Sequence, residues 1–335
     1  MLERTCFARN SSEIMSDPLS DVLELVSARC SLSGQLVAGG DWTRRFANVD
    51  AIKILAVTHG ACWYSVDGMP QPKPFEAGDV LVTNGKCGLV LANDPTLIAH
   101  APSTPRVKDE HGVYRLGHGN DIALLGGIVE VDDRRSTLLL DALPPFIHIG
   151  SDAPDAAEVA WLLRRIDEEM RAVGKAGQAI ILGHLTQLLF VHTLRAYLAC
   201  APEADVGWIK GLGDRRLAPA LARMHAEPAH PWNLEDLAQV AGMSRTAFAV
   251  RFRNVMGLPP LSYLTTWRMF LAERELRGGA SIAEAAEAIG YTSESAFSNA
   301  FKRTLGAAPG RLRKASAKKR MAATQHSPNS ATSPF

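Results

Sequence analysis

Two short segments near the C-terminus carry the residues best suited to chemistry with a partner. Thr246, Ala249 and Val250 in one, and Glu294, Ser295, Ser298 and Asn299 in the other, recur at helical spacing. Phe248 and Phe252, like Phe297 and Phe301, stand four residues apart and must face a core, so the remaining positions point outward. A carboxamide such as Asn299 forms two hydrogen bonds with an adenine edge, and a carboxylate such as Glu294 accepts from a cytosine amino group. Ala249 and Val250 offer only methyl contacts, of the kind a thymine accepts. Arg245, Arg251, Arg253, Lys302 and Arg303, with the Ser293 hydroxyl, are phosphate-type partners, which position a polyanion without reading it. Discrimination is therefore expected under the second segment.

These faces need rigid supports, and the sequence repeats one. Leu234 to Gly242 aligns with Ile282 to Gly290, each a short helix pattern closed by glycine. Beyond the glycine, with one residue inserted, Ser244, Ala247, Phe248, Phe252, Gly257 and Pro260 answer Ser293, Ala296, Phe297, Phe301, Gly306 and Pro309. Serine is a good N-cap and glycine a good turn residue. The spacing predicts two helix-turn-helix units, 234–256 and 282–305, whose second helices can enter a major groove. Leu261 to Arg277 predicts a joining helix of about 26 Å, compared with ~34 Å between successive major-groove faces.

Charge supports a polyanionic partner. The chain of 335 residues carries a net +1, but Trp208 to Arg320 holds 18 Lys+Arg against 9 Asp+Glu, and the remainder is acidic. Five scattered cysteines without a Cys-x-x-Cys pair argue for a reducing compartment and against a structural zinc site. Met1 to Asn10 lacks a signal-peptide core, and no apolar run is read as a membrane span, so the expected location is cytoplasmic.

The N-terminal half reads differently. After a short helix pattern at Asp21 to Ala28, Ile52 to Val66 is rich in β-branched and aromatic residues and ends on Asp67-Gly68, a hairpin-turn signal. Pro70, Pro72 and Pro74 keep the following chain out of a sheet interior. A Gly78-Asp79 turn leads into a buried strand, and further runs lie at 88–92 and 122–131. Many short strands predict a sandwich or small barrel. Then Val159, Leu162, Leu163, Ile166, Met170 and Val173 recur at helical spacing, and Gln178 to Cys200 is apolar around most of its circumference, as a buried helix would be. This helical pair would either dimerise or simply pack on the strands. Pro202 breaks it, and Trp208 to His225 holds one more helical pattern, interrupted at Pro219.

Trp232-Asn-Leu-Glu-Asp-Leu-Ala, Gly242-Met-Ser-Arg, Trp267-Arg-Met, Gly290-Tyr-Thr-Ser-Glu-Ser-Ala-Phe, Phe301-Lys-Arg and Pro309-Gly-Arg closely resemble the DNA-binding domain of AraC/XylS regulators. Asp41-Trp42, the Gly78-Asp79 turn and Leu139-Leu-Asp-Ala-Leu-Pro-Pro-Phe-Ile-His resemble that family's cupin-like sensor domain. The resemblance implies an α+β chain with a cupin-like β-barrel or sandwich (15–150), a central helical hairpin (151–205) and an all-α tandem helix-turn-helix domain (206–315). By composition, a disordered extension (1–14) and a disordered tail (316–335) are expected to flank them. The resemblance also places Thr246, Ala249, Val250, Glu294, Ser295, Ser298 and Asn299 at base-facing positions. Implied partners are double-stranded DNA, a small-molecule effector, a second copy of the chain and, for an activator, RNA polymerase. A domain serving only dimerisation, without effector, is the alternative; a cupin-type metalloenzyme fused to a DNA-binding module is a distant one.

Other chemistries find less support. After Gly60 the chain reads Ala-Cys-Trp-Tyr-Ser-Val, so two ligands of a cupin metal centre are missing, and no metal or other cofactor is expected. No Gly-x-Ser-x-Gly, phosphate-loop or His-Glu-x-x-His pattern marks an enzyme. His100, Asp109, Glu110, His111, His118 and Asp121 gather in a Pro- and Gly-containing stretch that reads as a loop. Cys62 and Cys87 are redox candidates only if they meet across strands. Trp63 and Tyr64 alternate on one strand, so one of them faces inward, toward an effector pocket or the core.

Overall fold

The computed structural model describes residues 17–46, 48, 51–98, 107–110, 113–131, 139–140, 143–172, 174–200 and 207–314. The expected extension 1–14 and tail 316–335, with His100 and His111, lie outside the described residues. The chain forms two units: Val26–Gly213, and a second that joins the N-terminal helix to the chain from Asp214 onward.

In the first unit the strands are β1 (Arg29–Gly39), β2 (Thr43–Phe46), β3 (Ile52–His59), β4 (Ala61–Val66), β5 (Lys73–Glu76), β6 (Val80–Thr83), β7 (Leu89–Ala92), β8 (Val107–Lys108), β9 (Tyr114–Gly117), β10 (Ile122–Glu130) and β11 (Phe146–Ile149). They make a seven-stranded sheet of order β11-β6-β3-β10-β1-β9-β8 and a four-stranded sheet of order β2-β7-β4-β5. The inward faces of both supply one core, with Leu36, Leu55, Tyr64, Phe75, Leu91 and Leu124 among its members. Period-two alternation is clear in β4, where Cys62, Tyr64 and Val66 are buried and Ala61, Trp63 and Ser65 are not. β6 and β7 are buried along their whole length.

The strand-rich run from Ile52 to Val66 is two strands in different sheets. Gly60 separates them at φ 74, where a Cβ would stand 2.0 Å from the Asp121 carbonyl oxygen. Pro74 lies in β5, at the edge of its sheet, where a missing N–H costs no ladder bond. The Gly78-Asp79 turn is fastened by its own carboxylate. Asp79 accepts from the Glu76 and Ser151 backbone N–H groups at 3.0 and 3.1 Å and lies 3.1 Å from His148 Nε2. Burial raises the pKa of this carboxyl, but these bonds and the His148 charge outweigh it and hold the pKa below the usual carboxylate range.

The helices are α1 (Pro18–Leu25), α2 (Pro95–Ile98), α3 (Ala156–Arg171), α4 (Gln178–Cys200), α5 (Trp208–Gly213), α6 (Ala218–Ala226), α7 (Leu234–Val240), α8 (Arg245–Met256), α9 (Pro260–Gly278), α10 (Ile282–Glu287) and α11 (Glu294–Leu305). The expected hairpin of α3 and α4 is not separate from the sandwich but part of the same unit. Val159, Leu162, Leu163 and Ile166 bury one face of α3, and Gln187 of α4 accepts the Cys30 N–H of β1 at 3.0 Å.

Two expectations about α4 are corrected. It is long and apolar enough to cross a membrane by length and composition, where no such run was expected; and only 33% of its most apolar stretch is buried. Ile180 is 67%, Ile181 43% and Leu188 46% exposed, as is Trp161 of α3 at 50%. A helix apolar all round has more apolar surface than one sheet face can cover.

The boundary between units falls at Gly213/Asp214 rather than near residue 205, and α1, expected within 15–150, belongs to the C-terminal unit. The physical reason is its apolar face, Leu19, Val22, Leu23 and Leu25, which is buried, and an acid on the other side. Asp21 lies 3.3 Å from His225 Nδ1, while His225 Nε2 lies 2.7 Å from the Tyr263 hydroxyl. A carboxylate only accepts, so Nδ1–H donates to Asp21 and Nε2 accepts from Tyr263. The imidazole also stacks on Trp267 at 3.9 Å.

Candidate nucleic-acid interface

The two copies are built by the same local devices. Asn233 caps α7 by accepting from the Glu235 and Asp236 N–H groups, and Ser281 with Glu284 forms a reciprocal capping box on α10. Ser244 and Ser293 cap α8 and α11 by accepting from Ala247 and Ala296, and both helices end on left-handed glycines, Gly257 and Gly306. The buried pairs Phe248–Phe252 and Phe297–Phe301 pack as tilted rings, 5.6 and 5.4 Å between centroids. Each recognition helix thus has one immovable face, which fixes what the opposite face presents.

The joining helix α9 serves both copies. Its Tyr263 meets Phe252 edge-on at 5.9 Å on the first side. Met269, Ala272 and Leu276 share a core with Ala285, Ile289, Phe297 and Phe301 on the second. Arg268 reaches out of α9 to donate to the Pro228 and His230 carbonyls, in the loop that leads into the first copy. On that same loop rests the turn of the second copy: a Cβ at Gly290 would stand 2.3 Å from the Ala229 carbonyl oxygen. The copies are therefore locked to each other through one loop.

On α8, Arg245 and Thr246 are exposed, Ala249 is half-buried and Val250 is 55% exposed, an unusual position for an aliphatic side chain. On α11, Glu294, Ser295 and Asn299 are exposed and Ser298 is half-buried. Ser293 Oγ accepts the Ala296 N–H and lies 3.0 Å from Ser295 Oγ, where either hydroxyl can donate to the other. Among the described residues, Arg245, Arg253, Lys302 and Arg303 form no ion pair and are all exposed.

Arg251, expected as a phosphate partner, has a carboxylate partner within the protein. Its guanidinium binds Asp214 through Nη2 at 2.7 Å and Nε at 2.9 Å, and Asp214 is only 7% exposed. Burial raises the Asp214 pKa, but the Arg251 bonds and two backbone N–H donors override it and lower it. Asp214 also accepts from the Arg216 and Leu217 N–H groups before α6, so Arg251 ties α8 to the start of this unit. Sequence reasoning missed Asp214, Arg268 and the Asp21–His225 pair, since none has a local spacing signal.

In the first unit Tyr64 is fully buried, ringed by Phe75, Phe146 and His148, and its hydroxyl is pushed up to about 12 by burial and by Asp79. Trp63 is half-buried on β4 between Pro74 and Ala92. Neither lines the cavity between the sheets, which is bounded instead by β1, β2, β3, β7, β9 and β10. The Cys62 thiol is buried and pushed up to about 12, which leaves it protonated and unreactive. No three metal-ligating side chains converge among the described residues.

A β-sandwich unit joined in one chain to a basic unit with two capped, locked helix-turn-helix copies defines a two-part DNA-binding transcription regulator. A family model described as Cupin matches residues 17–199, and one described as Helix-turn-helix domain matches 237–315. The chain is 42% identical over 299 residues to an AraC-like transcription regulator of Streptomyces lividans, covering 89% of this chain and 98% of that one. It is 41% identical over 305 residues to RclR, an RCS-specific HTH-type transcriptional activator of Escherichia coli, covering 89% and 97%. The crystal structure of the AdpA DNA-binding domain in complex with a target DNA is similar at 34% identity and TM-score 0.30, covering 32% of this chain and 96% of that one. The chain belongs to the AraC-like family of transcription regulators.

Proposed function

We propose that this regulator reads its operator mainly through α11, with α8 adding apolar contacts, and that a small molecule taken up by the Val26–Gly213 unit modulates it. The observation that carries the DNA assignment is the exposed row Glu294, Ser295 and Asn299, flanked by Lys302 and Arg303. Asn299 pairs with adenine and Glu294 with cytosine, while Ala249 and Val250 lie against thymine methyls; Arg245, Arg253, Lys302 and Arg303 hold phosphates. The protein acts as a homodimer through the exposed Ile180, Ile181 and Leu188 of α4, in the cytoplasm, and catalyses nothing itself. As an activator it would also touch RNA polymerase.

Footprinting on DNA beside its own coding region, at several salt concentrations, tests the reading. A protected site with asymmetric discrimination is expected, and Asn299→Ala costs about 1–3 kcal/mol there and relaxes specificity at one base pair. A uniform loss across all sequences would contradict the base-reading role. Screening small molecules of every charge type for a change in operator affinity tests the effector, and sedimentation of Leu188→Glu tests the dimer. Stoichiometric metal in the purified chain would instead revive a metalloenzyme reading.

A further inference from the structure

Helix α9 stands between the two helix-turn-helix copies and is built into the second of them. Met269, Ala272 and Leu276 share one apolar core with Phe297 and Phe301 of α11, so α9 and α11 move as one body. The first copy begins at a stiff connection, residues 227–232, which enters α7 at its cap Asn233, and α7 packs directly on α8. Within the connection Trp232 Nε1 donates to the Glu227 carbonyl at 3.0 Å and the His230 N–H donates to the same carbonyl at 3.1 Å. The His230 and Trp232 rings lie 4.3 Å apart. How α9 is oriented against this connection therefore decides where α11 stands relative to α8.

Two kinds of contact hold that orientation. Toward its start α9 meets the first side through rings: Tyr263 against Phe252 at 5.9 Å and Trp267 stacked on His225 at 3.9 Å. Apolar contact resists separation but is non-directional. Arg268 supplies the direction. Its Nε donates to the Pro228 carbonyl at 2.5 Å and its Nη2 to the His230 carbonyl at 2.7 Å, two acceptors on either side of Ala229. A planar guanidinium that bonds two carbonyls at once fixes an angle as well as a distance. Between those acceptors the Ala229 carbonyl faces Gly290, where a Cβ would stand 2.3 Å away, so the turn of the second copy bears on the same three residues. Without Arg268 the ring contacts behind it are left as a pivot.

We propose that Arg268 is a positioning residue for DNA recognition: by bridging the Pro228 and His230 carbonyls it sets the angle between α8 and α11, and so makes the protein selective for the spacing of the two subsites these helices read. One base pair more between two major-groove subsites moves the second by about 3.4 Å and turns it by about 34° around the duplex axis. A rigid pair of helices cannot follow that displacement; a pivoting pair can. The assignment rests on the reading of α8 and α11 as the two DNA-reading helices and adds a residue that acts without touching base or phosphate.

The probe is a duplex selected by the full chain from a random library, with two altered versions in which one base pair is inserted or deleted midway between the protected grooves. Fluorescence anisotropy gives the affinities. The parent should bind both altered duplexes at least about tenfold more weakly, since the loss of one base contact is of that order. In Arg268→Met that ratio should fall to about threefold or less. Arg268→Lys keeps the charge but cannot bridge two carbonyls as a planar fork, and its ratio should lie between. A parent that tolerates the altered spacing overturns the proposal whatever the variants do. So do variants that keep the parent's ratio, even with affinity lost for all three duplexes by one common factor, as loss of a purely stabilising residue would produce. If Arg268→Met does not fold, the parent series and Arg268→Lys still decide. The DNA reading fails differently: the parent selects no sequence or protects only a single groove, and the spacing role falls with it.

Discussion

Ala229 holds its carbonyl oxygen so close to Gly290 that a Cβ added to Gly290 would lie 2.3 Å away. The equivalent turn glycine of the first copy, Gly242, has nothing within 4 Å of the same position, although both are left-handed, at φ 83 and 62. The two turns are alike locally and unlike in what they touch. Gly242→Ala should therefore cost about 1 kcal/mol, the ordinary penalty of a left-handed alanine. Gly290→Ala should cost at least about 2 kcal/mol more, because the loop it abuts is pinned by Arg268 and cannot retreat. Thermal melts of the two variants against the parent check this, and equal shifts would mean the close approach has no energetic weight.

The two arginines on α8 make a matched pair for experiment. Arg251→Ala strands the nearly buried Asp214 and should destabilise the protein by about 1–3 kcal/mol, discounted for the half-exposed guanidinium. It should leave the salt dependence of DNA binding nearly unchanged. Arg253→Ala should do the reverse: stability is kept, and the slope of log K against log salt shrinks by about 0.9, one phosphate contact. Measuring both quantities on both variants decides which arginine faces the DNA.

His225 confers acid sensitivity on the C-terminal unit. Burial depresses its pKa below the ordinary value, and the nearby Asp21 and Asp17 carboxylates only partly oppose this. A depressed histidine leaves the unfolded chain binding more protons, so its stabilising effect is complete above about pH 6.5 and is lost as pH falls through that value. Melting temperature should drop between pH 7.5 and 5, and His225→Gln should flatten that drop. An unchanged slope in the variant would show that other groups carry the titration.

Asp79 acts in the other unit and in a lower window. Its folded pKa lies below the ordinary carboxylate value, so its contribution is intact above about pH 4 and fades as pH falls further. Asp79→Asn keeps the shape but loses the charged acceptor for His148 and the Glu76 and Ser151 N–H groups. It should destabilise the sandwich by about 1–3 kcal/mol at pH 7 and by less at pH 3. Near-ultraviolet circular dichroism at the two pH values is the measurement, and a pH-independent deficit would argue for a purely steric role.

The tandem helix-turn-helix units are legible in the sequence, and so is the outward face of α11. Their determinants are local: Ser244 and Ser293 cap residues three positions on, and phenylalanines four apart define a face within a single turn of helix. The strand-rich character of residues 52–131 is legible for the same reason, through period-two alternation. What the sequence does not hold is pairing at a distance. Asp21 and His225 are 204 residues apart and Asp214 and Arg251 are 37 apart, and no spacing rule links them. Those contacts place α1 in the C-terminal unit and give Arg251 a partner within the protein. The cavity is likewise invisible in the sequence: Trp63 and Tyr64 satisfy the alternation rule, but the open space is bounded by other strands, and only the stacking of two sheets decides where it lies. Sequence alone set which residues form each helix face, since that depends on neighbours within one turn; tertiary packing decided which charges are already spoken for, since that depends on partners brought together only by the fold.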